Sequence, residues 1–125
     1  MVKGIVLAGA ALALLATLSP ASAGRSRLYA ENGTASWYGP KYQGKPTASG
    51  ETYDMDAMSA AHPTLPFDTV VTVTNLENGR SVRVRINDRT PKRPNHVIDL
   101  SARAARALEI GDSGVARVRI QEVGS

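Results

Sequence analysis

Asp88 is the residue best placed for proton chemistry. Val82, Val84 and Ile86 alternate with Arg83, Arg85 and Asn87. Side chains alternate strictly along a strand, so the next position on the apolar face is Asp88, where the chain enters a loop. A carboxyl group drawn partly out of water holds its proton more readily, which suits a general acid near neutral pH. The same pattern fits a strand that has already ended, with Asp88 closing a turn or pairing with Arg89. Glu51 and Asp54 follow Thr47-Ala48-Ser49-Gly50 and lie three apart. With a third carboxylate they could form a hydrolytic pair, and a solvated loop is the commoner fate of such residues. His62, between Ala61 and Pro63, could orient a carboxylate or accept a proton, or be a satisfied structural residue, and His96 shares that ambiguity. Trp37 and Tyr38 are adjacent in an expected strand, so one should enter the core and the other stay exposed as a stacking platform for a sugar. Arg89 adds a cation beside Asp88.

These residues need a scaffold of short strands. Val71 and Val73 alternate with Thr72 and Thr74, Asn78-Gly79 turns the chain, and the Val82–Asp88 run returns it. Alternation around Asn-Gly predicts a β-hairpin. A third alternating run holds Ala116, Val118 and Ile120 on one face and Arg117, Arg119 and Gln121 on the other, and Thr34–Tyr38 is the expected opening strand. Arg83, Arg85, Arg117 and Arg119 share the outer parity and read as a solvated basic face. Ser101 can cap one helix over Ala102–Leu108, with Gly111 at its C-terminal end. Lys41–Ser49 and Arg89–Asn95 read as loops. The pattern predicts a mainly β fold, a small barrel with one short helix.

The chain has 125 residues, enough for one domain. Lys3, the apolar run Gly4–Leu18, the break at Ser19-Pro20 and Ala21-Ser22-Ala23 have the order of a secretory signal peptide over 1–23. The apolar run is shorter than the roughly 20 residues of a membrane span. Residues 24–32 read as a flexible leader and 33–123 as the folded domain. Without cysteine there is no disulfide, no thiolate metal site and no lipid-anchor site, so the domain must rest on a hydrophobic core. The expectation is a freely soluble monomer in the periplasm or outside the cell, with no membrane anchor after cleavage. A formal charge of +4 is too mild to argue for nucleic acid. Two distant histidines make a weak zinc case, and neither a metal nor any other cofactor is expected. Nucleophile-elbow, P-loop and dinucleotide motifs are missing.

The segments Gly33–Gly39, Thr47–Glu51 with Tyr53-Asp54, Ala60-Ala61-His62, Leu65-Pro66-Phe67, Asn87-Asp88-Arg89 with Pro91, Ile98–Ser101 and Gly114–Val118 follow one another in an order that resembles the rare lipoprotein A (RlpA-like) family of septal-ring lytic transglycosylases. The resemblance covers roughly Gly33 to Val123. It implies a six-stranded double-psi β-barrel, related in fold to barwin and expansins. It implies an open groove for peptidoglycan glycan strands and cleavage of the β-1,4 bond between N-acetylmuramic acid and N-acetylglucosamine, leaving a 1,6-anhydro end. By the resemblance Asp88 is the acid/base, Glu51 and Asp54 stabilise charge or position the sugar, and His62 orients a carboxylate. A non-catalytic, expansin-like glycan-binding module is the alternative. The sequence departs from the family pattern at Thr90, where glycine is usual, and at His96, where arginine is usual. Glycine in such a turn often supplies a backbone angle that threonine tolerates poorly, so the loop beside Asp88 is expected to differ.

Overall fold

The computed structural model describes residues 28–124. The signal peptide expected over 1–23 and the first part of the leader lie outside them. Six strands, β1 (Ala30–Trp37), β2 (Ser59–Ala61), β3 (Val70–Asn75), β4 (Ser81–Asp88), β5 (His96–Leu100) and β6 (Val115–Glu122), close into a barrel in the order β1-β5-β2-β4-β3-β6. β1 runs parallel to β5 and β2 parallel to β4, while the other neighbours are antiparallel. The helix among the described residues is α1 (Ala102–Ala107), and Pro40–Tyr42 makes a short 3-10 turn. No helix among the described residues is long and apolar enough to cross a membrane.

The predicted hairpin is present. Val71 pairs with Val84 and Val73 with Val82, while Thr72 pairs with Arg83 on the outside. Gly79 takes a positive φ of 80° in the turn, a conformation glycine adopts without a Cβ penalty. Ala116, Val118 and Ile120 of β6 point inward and pack with Val71, Val73, Val84, Ile86, Ile98 and Leu100 in one core. Ser101 caps α1, its Oγ accepting from the Ala104 amide at 3.3 Å. The left-handed position after the helix is taken by Glu109, φ 54°, where the sequence pointed to Gly111.

One boundary differs from expectation, and β2 and β5 were not expected as strands. β1 starts at Ala30, inside the stretch read as leader, because Ala30–Ser36 pair residue by residue with Gln121–Val115 of β6. Backbone pairing needs no apolar alternation, so the polar residues Glu31 and Asn32 gave no signal. β5 was not foreseen as a strand because Val97 and Ile98 are both buried, and a strand covered on both faces shows no period of two.

Candidate active site

Residues of four neighbouring strands meet at one groove, although β1 and β5 run opposite to β2 and β4. Ser36 and Trp37 of β1, Ala61 of β2, Asp88 of β4 and Asp99 of β5 line this open groove of about 450 Å³. The loops add Tyr38, Lys41, Tyr42, Lys45, Thr47, Tyr53, Arg89 and Arg93. Ala61 is in register with Asp88 on one side and Asp99 on the other. The two carboxylates therefore flank the Ala61 methyl, their Cα atoms two strand spacings or roughly 10 Å apart.

The alternation that led to Asp88 breaks just before it. Ala60 pairs with Ile86 but Ala61 pairs with Asp88, so Asn87 is the extra residue of a β-bulge. Ile86 and Asn87 are both buried, and Asp88 is half-buried at the groove. Its Oδ1 accepts from the Ala48 amide at 2.9 Å and the Arg89 amide at 2.8 Å. Its Oδ2 has no bonded partner among the described residues. The loop carrying Ala48 is folded on itself. Thr47 donates through both its amide (2.7 Å) and its hydroxyl (2.8 Å) to the Glu51 carbonyl.

Asp99 was not singled out in the sequence. Its Oδ1 accepts from the Ser36 hydroxyl and lies 2.9 Å from His96 Nε2. Its Oδ2 accepts from the Thr90 hydroxyl at 2.6 Å and lies 3.5 Å from Arg93 Nη2. The one available signal was a lone acidic residue in the apolar run Val97-Ile98-Asp99-Leu100.

Trp37 and Tyr38 do not divide between core and surface as expected, because β1 ends at Trp37 and its alternation with it. Both border the groove, Trp37 being 37% exposed. The Tyr38 hydroxyl is buried without a hydrogen-bond partner among the described residues. Burial, then the charges of Asp88, Tyr53 and Asp99, push its ionisation upward, so it stands protonated. Its ring lies 4.7 Å from that of Tyr53 and 5.9 Å, edge-on, from that of Tyr42. Arg89 stacks its guanidinium 4.2 Å from the Phe67 ring centroid at the rim.

The other three sequence candidates do not line this groove. Glu51 grips Arg85 with both oxygens, at 2.8 and 3.0 Å, and accepts from Asn87 Nδ2 at 3.0 Å. The Arg85 hydrogen bonds, then the Asn87 bond, hold its carboxyl below the ordinary range. Arg85 also meets Asp68 at 2.8 Å, so it is not part of a free basic face. Asp54 accepts from the Asp56 amide at 2.9 Å and closes a local turn. His62 is buried, its Nδ1 accepting from the Thr64 and Leu65 amides at 3.0 Å each. Its ring meets Tyr29 edge-on at 5.4 Å, and burial lowers its basicity. Among the described residues no cluster of histidine and carboxylate side chains has the arrangement of a metal site.

Thr90 has no positive φ, so the threonine carries no glycine-type strain in this turn. A family model described as lytic transglycolase matches residues 30–120. The chain belongs to this lytic transglycolase family. It is 53% identical over 98 residues to the endolytic peptidoglycan transglycosylase RlpA of Pseudomonas aeruginosa, covering 78% of this chain and 29% of the relative. A probable endolytic peptidoglycan transglycosylase RlpA of Synechocystis is 57% identical over 93 residues, covering 74% of this chain and 29% of that one. The chain thus spans less than a third of the length of these two relatives. Among solved structures, a Streptomyces papain inhibitor matches with TM-score 0.61 at 28% identity, covering 77% of this chain and 96% of that one. A Clavibacter michiganensis expansin matches with TM-score 0.60 at 26% identity, covering 78% and 52%. The fold of this lytic transglycolase domain is the double-psi β-barrel the resemblance implied.

Proposed function

We propose that the domain binds peptidoglycan glycan strands along this groove, outside the cytoplasm, and cleaves the β-1,4 bond between N-acetylmuramic acid and N-acetylglucosamine with Asp88 as acid/base. The observation that carries the reading is the asymmetry of Asp88, whose Oδ1 is pinned by two backbone amides while Oδ2 stays unpartnered beside the groove. The relatives named as peptidoglycan transglycosylases give the reaction class.

In the proposed reaction Asp88 Oδ2 gives its proton to the glycosidic oxygen as the bond from that oxygen to the anomeric carbon breaks. The C6 hydroxyl of the muramic residue attacks the anomeric carbon, and Asp88 takes the hydroxyl proton. The products are a 1,6-anhydro end and a free 4-hydroxyl, and Asp88 is returned protonated. No water is activated, so the carboxylate spacings of hydrolases do not govern the geometry. Asp99 faces the same groove as a second negative group that offsets positive charge at the anomeric centre. Trp37 and Tyr42, both exposed, supply stacking faces.

Glu51, Asp54 and His62 act as positioning residues in this reading. Glu51 braces Asn87 beside Asp88 and closes the loop that offers the Ala48 amide. The His62 amide donates to the Asp88 carbonyl at 3.2 Å. Asp54 fixes the turn leading to β2.

The test is digestion of purified peptidoglycan followed by mass spectrometry for anhydro ends. Asp88→Asn is expected to lower product formation by about 100-fold or more. Equal product from Asp88→Asn overturns its role. Sacculus binding by the wild type without any anhydro product supports the expansin-like binding module instead.

A further inference from the structure

The groove holds a second carboxylate whose surroundings are built differently from those of Asp88. Asp99 has each oxygen matched by one hydroxyl and one nitrogen. Ser36 and His96 serve Oδ1, and Thr90 and Arg93 serve Oδ2. Its side chain is 18% exposed. Two of these partners, Thr90 and Arg93, reach it from outside the pairing of β1 and β5, on the stretch that joins β4 to β5, and His96 opens β5 itself.

The hydrogen bonds run in one direction. Arg93 Nη2 lies 3.1 Å from each ring nitrogen of His96 and so does not choose between them, but the Ser36 hydroxyl gives its one proton to Asp99 Oδ1, so its oxygen accepts from His96 Nε2. The ring proton then sits on Nε2, 2.9 Å from Asp99 Oδ1 and 2.9 Å from Ser36 Oγ. Ser36 thereby fixes the tautomer and links His96 to the carboxylate, with Nε2 itself also close to Oδ1. Thr90 is buried, and its hydroxyl holds the other oxygen at 2.6 Å. Rotation of the Asp99 carboxylate would break bonds at both oxygens.

The geometry points to Thr90 and His96 as positioning residues that lock the Asp99 carboxylate in its rotamer and leave Asp88 as the one groove carboxylate with an oxygen free to carry a proton. This rests on the proposed cleavage reaction, since Asp99 is held for charge developing at the anomeric carbon. It separates two acidic residues by their partners: Asp99 accepts from every side, Asp88 on one oxygen only. Because both oxygens of Asp99 are held before substrate arrives, the lock contributes to turnover more than to binding.

The experiment pairs removal with conservative replacement. Thr90→Val and His96→Phe remove the donors, while Thr90→Ser and His96→Gln keep a donor at similar reach. On glycan strands of defined length, the removal variants are expected to lose roughly tenfold or more in kcat with KM within about twofold, and the conservative variants to keep kcat within about threefold of wild type. A removal variant with wild-type kcat, or one whose whole loss appears in KM, overturns the lock. A wild type that releases no anhydro ends overturns the cleavage reading, and the lock is then judged by a second measurement. Nitrogen NMR of the two histidine rings, assigned through His96→Gln, reads the His96 tautomer without any activity. The proton is expected on Nε2 in the wild type, and Asp99→Asn is expected to shift that signal. A neutral His96 ring carrying its proton on Nδ1, or a signal indifferent to Asp99→Asn, overturns the lock whatever the activity.

Discussion

Ala61 separates two aspartates that the sequence made unequally visible. Asp88 stood out because it ended an alternating run, although the structure reaches the groove through a bulge at Asn87 and not through unbroken parity. Asp99 was hidden because its strand is buried on both faces and its motif looked like core. His62 was legible only as a histidine; its partners are backbone amides that no residue spacing could reveal. That environment gives a pH prediction. Burial holds the folded-state affinity of His62 for a proton below the ordinary value of 6.5. As pH falls, the unfolded chain takes up this proton first, so stability is full above 6.5 and declines below it towards the lower folded value. His62→Asn keeps an acceptor for the two amides and removes the titration. Its urea midpoint is expected to change less than that of the wild type between about pH 7.5 and about pH 5.5. Parallel midpoint curves for the two proteins would show that His62 does not set the slope.

At the scale of elements, the hairpin, β6 and the cap of α1 were readable because each rests on local chemistry: alternation, Asn-Gly and a serine before an alanine-rich run. β2 and the start of β1 were not, because they are held by long-range pairing. Gly33 illustrates the difference. It lies inside β1 without a positive φ, yet a Cβ there would sit 2.4 Å from Val97 Cγ1 and 2.8 Å from the Asn95 carbonyl oxygen. The missing side chain is what lets β1 close on β5. That closure also carries the Thr34 amide to the Asn95 carbonyl, and it sets Ser36 against Asp99. Gly33→Ala must push the two strands apart and is expected to cost about 1–3 kcal/mol by overpacking. Thermal or urea unfolding checks the stability. Ser36 moves with β1, so the same variant is expected to lose cleavage even below its melting range. Full activity in a destabilised Gly33→Ala would mean that the seam and the groove are not coupled through β1.

At the scale of the molecule, the groove is not a separable unit. Its floor and walls come from β1, β2, β4 and β5, and the same four strands enclose the core with Ile86, Ile98 and Leu100. α1 is tied to the groove through the Ala102 amide, which donates to the Tyr53 hydroxyl at 3.1 Å, and to the β3–β4 turn, where Asn75 and Asn78 both donate to the Leu108 carbonyl at 2.9 and 3.0 Å. The barrel order places β3 and β6 between the two edges of the groove sheet, so opening any seam breaks the ring. A closed ring of this kind has no edge from which to fray, and its site should melt with its core in one cooperative step. The chain supplies a clean reporter, because Trp37 is its single tryptophan and lies on the groove rim. In denaturant, Trp37 fluorescence and far-ultraviolet circular dichroism are expected to give one midpoint. A fluorescence transition at clearly lower denaturant would mean that the groove loosens while the strands remain paired, and the rigid placement of Asp88 and Asp99 across Ala61 would then have to be abandoned as the basis of the chemistry.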